Sequence, residues 1–410
     1  MNIFPRTLLF LLVASIVSAQ AANTVAADAA GRTFAEDVAL LKQHNDVIVL
    51  SDVSGKNKLA IVPAYQGRVM TSTNNGDDAP GFGWIDEEAV KLGPVAPHMN
   101  AFGGEDRFWI APEAGQYAIF FKAGESFDVE HWQTPPLIDT VPYKVVEKTA
   151  RSVIFHHTDS VTNYSGTKFD VEIDRRISLL DREVASHDLG TKIPPNVDAV
   201  VYLSQNTLTN AGKQAWKKES GLLSIWILGM LKASPQVTVV APFNKGDANK
   251  LGAIVNDNYF GKVPADRLSA DEEHGVVYFK GDGVFRSKIG LLPQRAKGVI
   301  ACYDPVIPRL TIVKYTQPKG ATLYPNSMWE LQDNPYGGDA INSYNHKPTE
   351  DGSGTFYELE TASPGKELAP GESIRHTHQT MHFTGPKAEL DAIAKQVLGV
   401  GVDEIVGALP

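Results

Sequence analysis

Glu105, Asp106 and Arg107 stand between a glycine pair and a tryptophan in the stretch Asn100-Ala-Phe-Gly-Gly-Glu-Asp-Arg-Phe-Trp-Ile-Ala-Pro-Glu113. The carboxylates accept hydrogen bonds, the guanidinium donates them as a fork, and Trp109 offers a flat apolar face. Gly103 and Gly104 permit a sharp turn or a close backbone approach. These are the parts of a sugar pocket, with polar edges for hydroxyls and an aromatic plate for the C–H face of a ring. A salt-bridged turn between two strands uses the same residue types, and spacing does not separate the two readings.

A second concentration of such groups runs from Phe356 to Pro364. Side chains alternate along a strand, so Glu358 and Glu360 share one face, about 7 Å apart. If both are desolvated their pKa values split, and one acts as base while the other keeps its proton. Antiparallel sheets commonly keep one face wet, and spacing alone favours both carboxylates pointing to water. The following run, Ile374 to Phe383, places His376, His378, Thr380 and His382 on one face. That pattern suits a solvated face, hydrogen bonds to a sugar, or a chelated transition metal. A metal is the least supported of the three, since no third ligand can be identified, and none is expected. The adjacent His156 and His157 point to opposite faces and do not form a pair.

Further candidates combine aromatic, amide and acidic groups. Trp329 and Glu330, with Asn342, Tyr344 and Asn345, are expected to line a carbohydrate cleft from loops. Trp84 follows the glycines of Gly81-Phe-Gly-Trp84, and Lys288 is a charge within the extended run Phe285 to Gly290 that either pairs in the core or reaches into a pocket. An isolated tryptophan is more often core than platform. Several beside acids and amides shift the balance towards binding. The chain carries no Gly-x-Ser-x-Gly elbow, no phosphate-binding loop, no His-Glu-x-x-His motif and no dinucleotide fingerprint. Acid/base chemistry of this kind needs no cofactor, and none is expected.

Strands must position these groups. Short runs with strand character recur from Asp46 to Thr361, among them Gln116–Lys122, Lys168–Leu179 and Val197–Leu203. Gly221 to Leu231 is the longest apolar run after the leader and reads as a buried strand pair. Phe34 to Gln43 has helical spacing, and Pro386 opens a helix with Leu390, Ile393, Val397 and Leu398 on one side. Many antiparallel strands without a βαβ rhythm imply an all-β sandwich or barrel.

Residues 1–21 read as an export signal. Arg6 precedes the apolar run Leu8 to Val17, and Ala19-Gln20-Ala21 fits a small-x-small cleavage site. Cleavage leaves 410 − 21 = 389 residues and moves the formal charge from −10 to −11, since Arg6 is the only charged side chain lost. The run is too short to span a bilayer, so no membrane insertion is expected after cleavage. An acidic exported chain is a poor nucleic-acid binder, and the bacterial periplasm is the expected compartment. Cys302 is the single cysteine. It excludes an internal disulfide and cysteine-rich zinc sites, and its apolar neighbours make it a buried small residue.

The pattern Leu359-Glu-Thr361, a spacer, Leu368-Ala-Pro-Gly-Glu372 and a His/Thr-rich strand resembles the end of aldose 1-epimerases (galactose mutarotases). From Val47 onwards the chain resembles, more closely, an uncharacterised bacterial family of that superfamily. Gly103-Gly-Glu-Asp-Arg-Phe-Trp109, Pro112-Glu-Ala-Gly-Gln116, Asn206-Thr-Leu-Thr-Asn210 and Gly221-Leu-Leu-Ser-Ile-Trp226 fit its signature. The resemblance implies a galactose-mutarotase-like β-supersandwich over residues 34–385, with a helical tail at 386–410. In such enzymes a glutamate removes the anomeric hydroxyl proton while a histidine protonates the ring oxygen. Glu360 matches the glutamate by motif position. The histidine is unmatched, because the family's His-Gly-Gly turn reads Phe102-Gly103-Gly104 here and Asn206–Asn210 contains none. His98 or a histidine of the 376–382 strand is the substitute on offer.

The combined expectation is an exported protein that binds a small sugar or glycan near Arg107, Trp109, Glu105, Trp329 and Glu360. Glu360 would act as base, with Glu358 or a histidine as acid. Two rivals share the scaffold. One is a glycan-binding module without turnover. The other is a polysaccharide lyase or glycoside-modifying enzyme using Arg107, Lys288 and Arg375 to neutralise a uronate.

Overall fold

The computed structural model describes residues 31–348 and 354–410. The export signal expected at residues 1–21 lies outside the described residues. In chain order the strands are β1 (Ile48–Ser51), β2 (Lys58–Val62), β3 (Arg68–Thr73), β4 (Arg107–Ala111), β5 (Lys144–Lys148) and β6 (Ser152–Thr162). There follow β7 (Lys168–Leu180), β8 (Asp198–Asn210), β9 (Ser224–Lys232), β10 (Thr238–Pro242), β11 (Leu268–Asp271) and β12 (Val276–Lys280). The last are β13 (Ser287–Leu291), β14 (Val299–Asp304), β15 (Arg309–Tyr315), β16 (Ile341–Asn345), β17 (Phe356–Ala362) and β18 (Ser373–Thr384).

These strands form three antiparallel sheets. Ten strands make the largest, in the order β11-β12-β10-β14-β15-β18-β8-β7-β6-β5. Five make the second, in the order β13-β16-β17-β9-β4, and β1-β2-β3 complete the third. Period-two alternation decides what each sheet buries. In β7, Phe169, Val171, Ile173, Ile177 and Leu179 are buried while their neighbours are half-exposed or, like Lys168, exposed. β9 is buried on both faces from Ser224 to Leu231, because the large sheet covers one face and the other is the floor of a loop-walled cavity. It is therefore one strand of nine residues, not the strand pair expected from its apolar run.

The C-terminal helical signal is realised as two helices, Lys387–Leu398 and Val402–Gly407. Leu390, Ile393, Leu398 and Ile405 pack on Val240, Ile312 and Met381 of the large sheet. At the other end Thr33 caps Phe34–His44 through a capping box with Glu36. The strand expected at Gln116–Lys122 does not form. The segment is a turn-rich loop, and Phe120 and Phe121 from it pack against Trp109 and Trp329. Aromatic burial against a neighbouring wall, not sheet pairing, accounts for its apolar character. No helix among the described residues is long and apolar enough to cross a membrane.

Candidate functional site

The five-stranded sheet presents a patterned face. Its register aligns Lys288, Tyr344, Glu358 and Met230 in one row across β13, β16, β17 and β9. The next row holds Gly290, Asn342, Glu360, Leu228 and Arg107. Trp226 and Trp109 follow. Because the strand period is two, these residues share one side of the sheet, while Ile289, Leu359 and Phe108 occupy the other and pack into the core. The patterned side is the floor of a cavity of about 360 Å³. Loops supply the walls, and five of the chain's six tryptophans line it: Trp84, Trp109, Trp132, Trp226 and Trp329.

Glycines set the position of Trp84. Its amide donates to the Met230 carbonyl at 3.0 Å, which lays the Trp84 segment beside β9. Gly103 and Gly104 pass behind with φ of 93° and 109°. A Cβ at Gly103 would lie 2.1 Å from the Trp84 carbonyl oxygen, and one at Gly104 would lie 2.7 Å from Arg68 Cδ. Both the left-handed backbone and the close approach require glycine.

The floor carries two ion pairs. Arg107 Nη2 lies 2.9 Å from Glu358 Oε1, and Lys288 Nζ lies 2.9 Å from Glu360 Oε2. Arg107 also stacks over Trp109 at 4.3 Å, and Lys288 sits 4.8 Å from the Trp226 ring and 5.4 Å from Tyr259. Glu360 is wholly buried and accepts a further bond from Trp226 Nε1 at 3.0 Å. Its Oε1 has no conventional donor among the described residues. Glu358 adjoins it. Burial pushes the Glu358 carboxyl well above the usual carboxylate range; Arg107 opposes this, and the Glu360 charge and a hydrogen bond to Glu360 reinforce it. A protonated Glu358 donating to Glu360 gives that buried oxygen a partner.

A third carboxyl lies on the wall. Burial pushes Glu113 up to about 7, with Lys288 opposing and the Glu360 charge adding to the shift. Behind Lys288, Tyr259 is held by Asp339, which its hydroxyl bonds, and by Asn342 Nδ2 at 3.0 Å. Burial raises Asp339 to about 6, against hydrogen bonds from Tyr259 and Asn256. At the mouth Tyr344 Oη lies 2.8 Å from His346 Nδ1, and His346 stacks on Phe356. Burial, with the Arg286 and Lys347 charges, holds His346 below its ordinary pKa.

Measured against expectation, Trp84, Arg107, Trp109, Lys288, Trp329, Tyr344 and Glu358 all line this cavity. Glu360 lies beneath the floor under Lys288 and Trp226. Neither Glu358 nor Glu360 points to bulk water, because the five-stranded sheet is roofed by loops on the side where an edge-on reading leaves solvent. Glu105 is placed elsewhere. It is buried behind the sheet with Ser72, Tyr202 and His382, because the chain turns at Gly103-Gly104 before β4 begins. His376 and His378 share a face as expected, but the face is the inter-sheet interior. Both rings bond the Thr361 hydroxyl, at 2.8 and 2.9 Å. Burial drives their pKa values down to about 3 and about 4, so both are neutral.

His98 is outside the lining, its Nδ1 2.8 Å from the Trp132 carbonyl. Asn342 and Asn345 belong to strand β16, not to a loop. Asn342 buttresses Tyr259, and Asn345 faces away to bond the Gly283 amide at 2.8 Å. Glu330 is exposed and outside the lining. Glu113, Trp132, Trp226, Tyr259 and His346 line the cavity and were not singled out from the sequence. The available signal was the count of tryptophans sharing segments with acids. Cys302 is buried, its sulfur 2.9 Å from Tyr357 Oη. One cluster elsewhere, His156, Glu172 and Asp174, has ligand atoms within 4.8 Å of one another, on half-buried side chains of the large sheet.

Residues 32–409 match a family of unknown function, DUF6786. No curated protein matches the chain in sequence. Among solved structures, the Slr1438 protein of Synechocystis sp. PCC 6803 is 12% identical at a TM-score of 0.50, covering 83% of this chain and 96% of its own. An aldose 1-epimerase-like protein from Escherichia coli K12 is also 12% identical at 0.50, over 83% of this chain and 99% of its own. A galactose mutarotase-like protein from Lactobacillus casei ATCC 334 is 10% identical at 0.47, over 82% and 100%. The fold is galactose-mutarotase-like, as the C-terminal motif resemblance implies.

Proposed function

For this chain, which belongs to the DUF6786 family of unknown function, we propose a carbohydrate-active role: the cavity binds a sugar and carries out acid/base chemistry at or near its anomeric carbon. One observation carries the reading. Two carboxyls, Glu358 on the floor and Glu113 on the wall, are pushed towards neutral titration in a cavity walled by five tryptophans. Groups that titrate near the working pH are the effective proton carriers, and tryptophan faces suit the C–H surface of a sugar ring.

In the forward step one carboxylate takes the anomeric hydroxyl proton and the other carboxylic acid gives its proton to the ring oxygen. The bond between the anomeric carbon and the ring oxygen breaks, leaving the open aldehyde. Rotation and the reverse transfers close the ring in either configuration. Glu358 holds the floor position, and Glu360 accepts its proton's hydrogen bond from below. Glu360 is thus a positioning residue here, although motif matching alone made it the base. Anomeric exchange measured by NMR over a panel of aldoses tests the assignment. Acceleration by the wild type that is lost in Glu358→Gln supports it, and undiminished exchange in that variant removes Glu358 from the role.

A glycan-binding module is the second reading, favoured by the Arg107–Glu358 ion pair, which engages the floor carboxyl. It predicts saturable sugar binding without turnover. The lyase reading gains less. Arg107 and Lys288 converge, but each already has a carboxylate at 2.9 Å, and Arg375 lies outside the cavity lining. Export to the bacterial periplasm belongs to the same proposal and rests on residues 1–21 alone; cell fractionation checks it.

A further inference from the structure

The site is graded in polarity from floor to mouth. The charged pairs lie on the floor, aromatic rings make the walls, and exposed apolar side chains stand at the rim beside Arg286, which stacks on Phe260 at 3.9 Å. Four leucine or phenylalanine side chains are exposed among the described residues: Leu92, Phe260, Phe285 and Leu331, at 67%, 42%, 43% and 68%. Three of them sit in or next to the cavity lining; Leu92 does not, since its neighbours Val90, Lys91 and Gly93 line a separate cavity. Phe260 lines the cavity itself; Phe285 precedes the lining Arg286; Leu331 follows the lining Trp329 by two residues. Val129, 58% exposed, is a fourth rim residue and also lines the cavity. Exposed large apolar side chains elsewhere are all valines. Scattered surface apolar residues need no explanation, but a set gathered at one mouth marks a contact.

We propose that the ligand is an amphiphilic glycoside, with its sugar on the charged floor and an apolar aglycone running along the tryptophan wall to the rim. The inference rests on the sugar-binding reading above and names the substrate class for the same site. A free sugar is polar around its whole edge and leaves the rim unused. A wholly apolar ligand would strip water from Arg107, Lys288 and Glu358 without replacing its hydrogen bonds, which is costly. A ligand with a polar head and an apolar tail satisfies both ends.

The test is calorimetric titration of the full chain with methyl and hexyl glycosides of glucose and galactose, below their micellar concentrations. A fully buried methylene strengthens binding by roughly threefold to fourfold, so partial burial of the hexyl chain is expected to give a gain of at least about tenfold over methyl. The double variant Phe285→Ser, Leu331→Ser changes two exposed positions outside the cavity lining. It is expected to shrink that gain while leaving methyl glycoside binding unchanged. Equal affinity for methyl and hexyl glycosides would overturn the inference and leave sugar binding standing. Hexanol binding as tightly as the hexyl glycosides would overturn the sugar-binding reading instead. Light scattering is expected to show a monomer with the rim open. A stable dimer that hexyl glycoside does not dissociate would assign the rim to a second copy and overturn the inference.

Discussion

Two buried charge clusters arise from the same three residues and behave in opposite ways. Glu105 and Asp106 point into the space between the sheets, and Arg107 points into the cavity. Behind the sheet the Glu105 carboxylate is answered by protein donors. Glu105 accepts from Ser72, from Tyr202 at 3.0 Å and from His382 at 2.9 Å. Burial works against its carboxylate, but His382, Ser72 and Tyr202 outweigh it and hold the pKa below the ordinary value. Asp106 is 2.6 Å from Arg175, which also bonds Asn206 at 2.7 Å. On the cavity side Glu358 and Glu113 are pushed the other way. In the first cluster Glu105 is held ionised, and the Asp106–Arg175 pair joins the sheets. The second retains protons to exchange and faces a space able to take a ligand. Burial of charge is common to both; the hydrogen bonds that Glu105 accepts separate it from Glu358.

Removing the proton carrier should give the largest contrast. Glu358→Gln is expected to lower anomeric exchange by about 10²- to 10⁴-fold. Its urea midpoint should stay near that of the wild type, since a neutral amide still donates to Glu360. A large loss of stability without loss of exchange would reverse the two regions' roles.

Arg175→Met should do the opposite. It strands Asp106 between the sheets and is expected to cost about 3 to 5 kcal/mol of folding stability. Urea denaturation measures this, and sugar affinity of the folded fraction should be unchanged.

Glu113 sharpens the comparison through pH. Its folded-state pKa of about 7 lies above the ordinary 4.5. As pH rises through that window the unfolded chain gives up the proton first, so this group's contribution to stability falls between about pH 4.5 and 7. Glu113→Gln removes that loss. Its unfolding free energy is expected to match the wild type near pH 4.5 and exceed it at pH 8 by on the order of 1 to 2 kcal/mol after solvent screening, read as a higher melting temperature. An unchanged gap across pH would show that Glu113 titrates normally.

The smallest effect is expected at Tyr259. Phenylalanine there removes the hydroxyl that Asp339 and Asn342 hold, at a cost of about 1 kcal/mol in thermal unfolding, with sugar affinity weakened only slightly.

Strand alternation made much of the floor legible. It put Glu358 and Glu360 on one face, and that holds in the structure. What alternation cannot supply is the occupant of the opposite side, so it left the two glutamates facing water when loops enclose them. Glu105 was misplaced for a local reason: two residues before Arg107 it should share that face, but the left-handed turn at Gly103-Gly104 breaks the alternation. Asn345 fails similarly, since reading 342–345 as a loop hides that 342 and 345 point apart. Glu113, Trp132 and His346 come from irregular segments with no period to follow. The substitute histidine expected at His98 is tied to the Trp132 backbone, and the 376–382 histidines are sealed between sheets by β18 pairing with β8 and β15.

The central claim is that Glu358 changes protonation near neutral pH while Glu105, on the other side of the same sheet, does not. Carboxyl-¹³C NMR of glutamate-labelled protein, assigned with Glu358→Gln, reads both groups in one titration. The account predicts a resonance that shifts near neutral pH and vanishes in the variant, with the Glu105 signal flat down to acid unfolding. A Glu358 signal already fully ionised at pH 5 would contradict it.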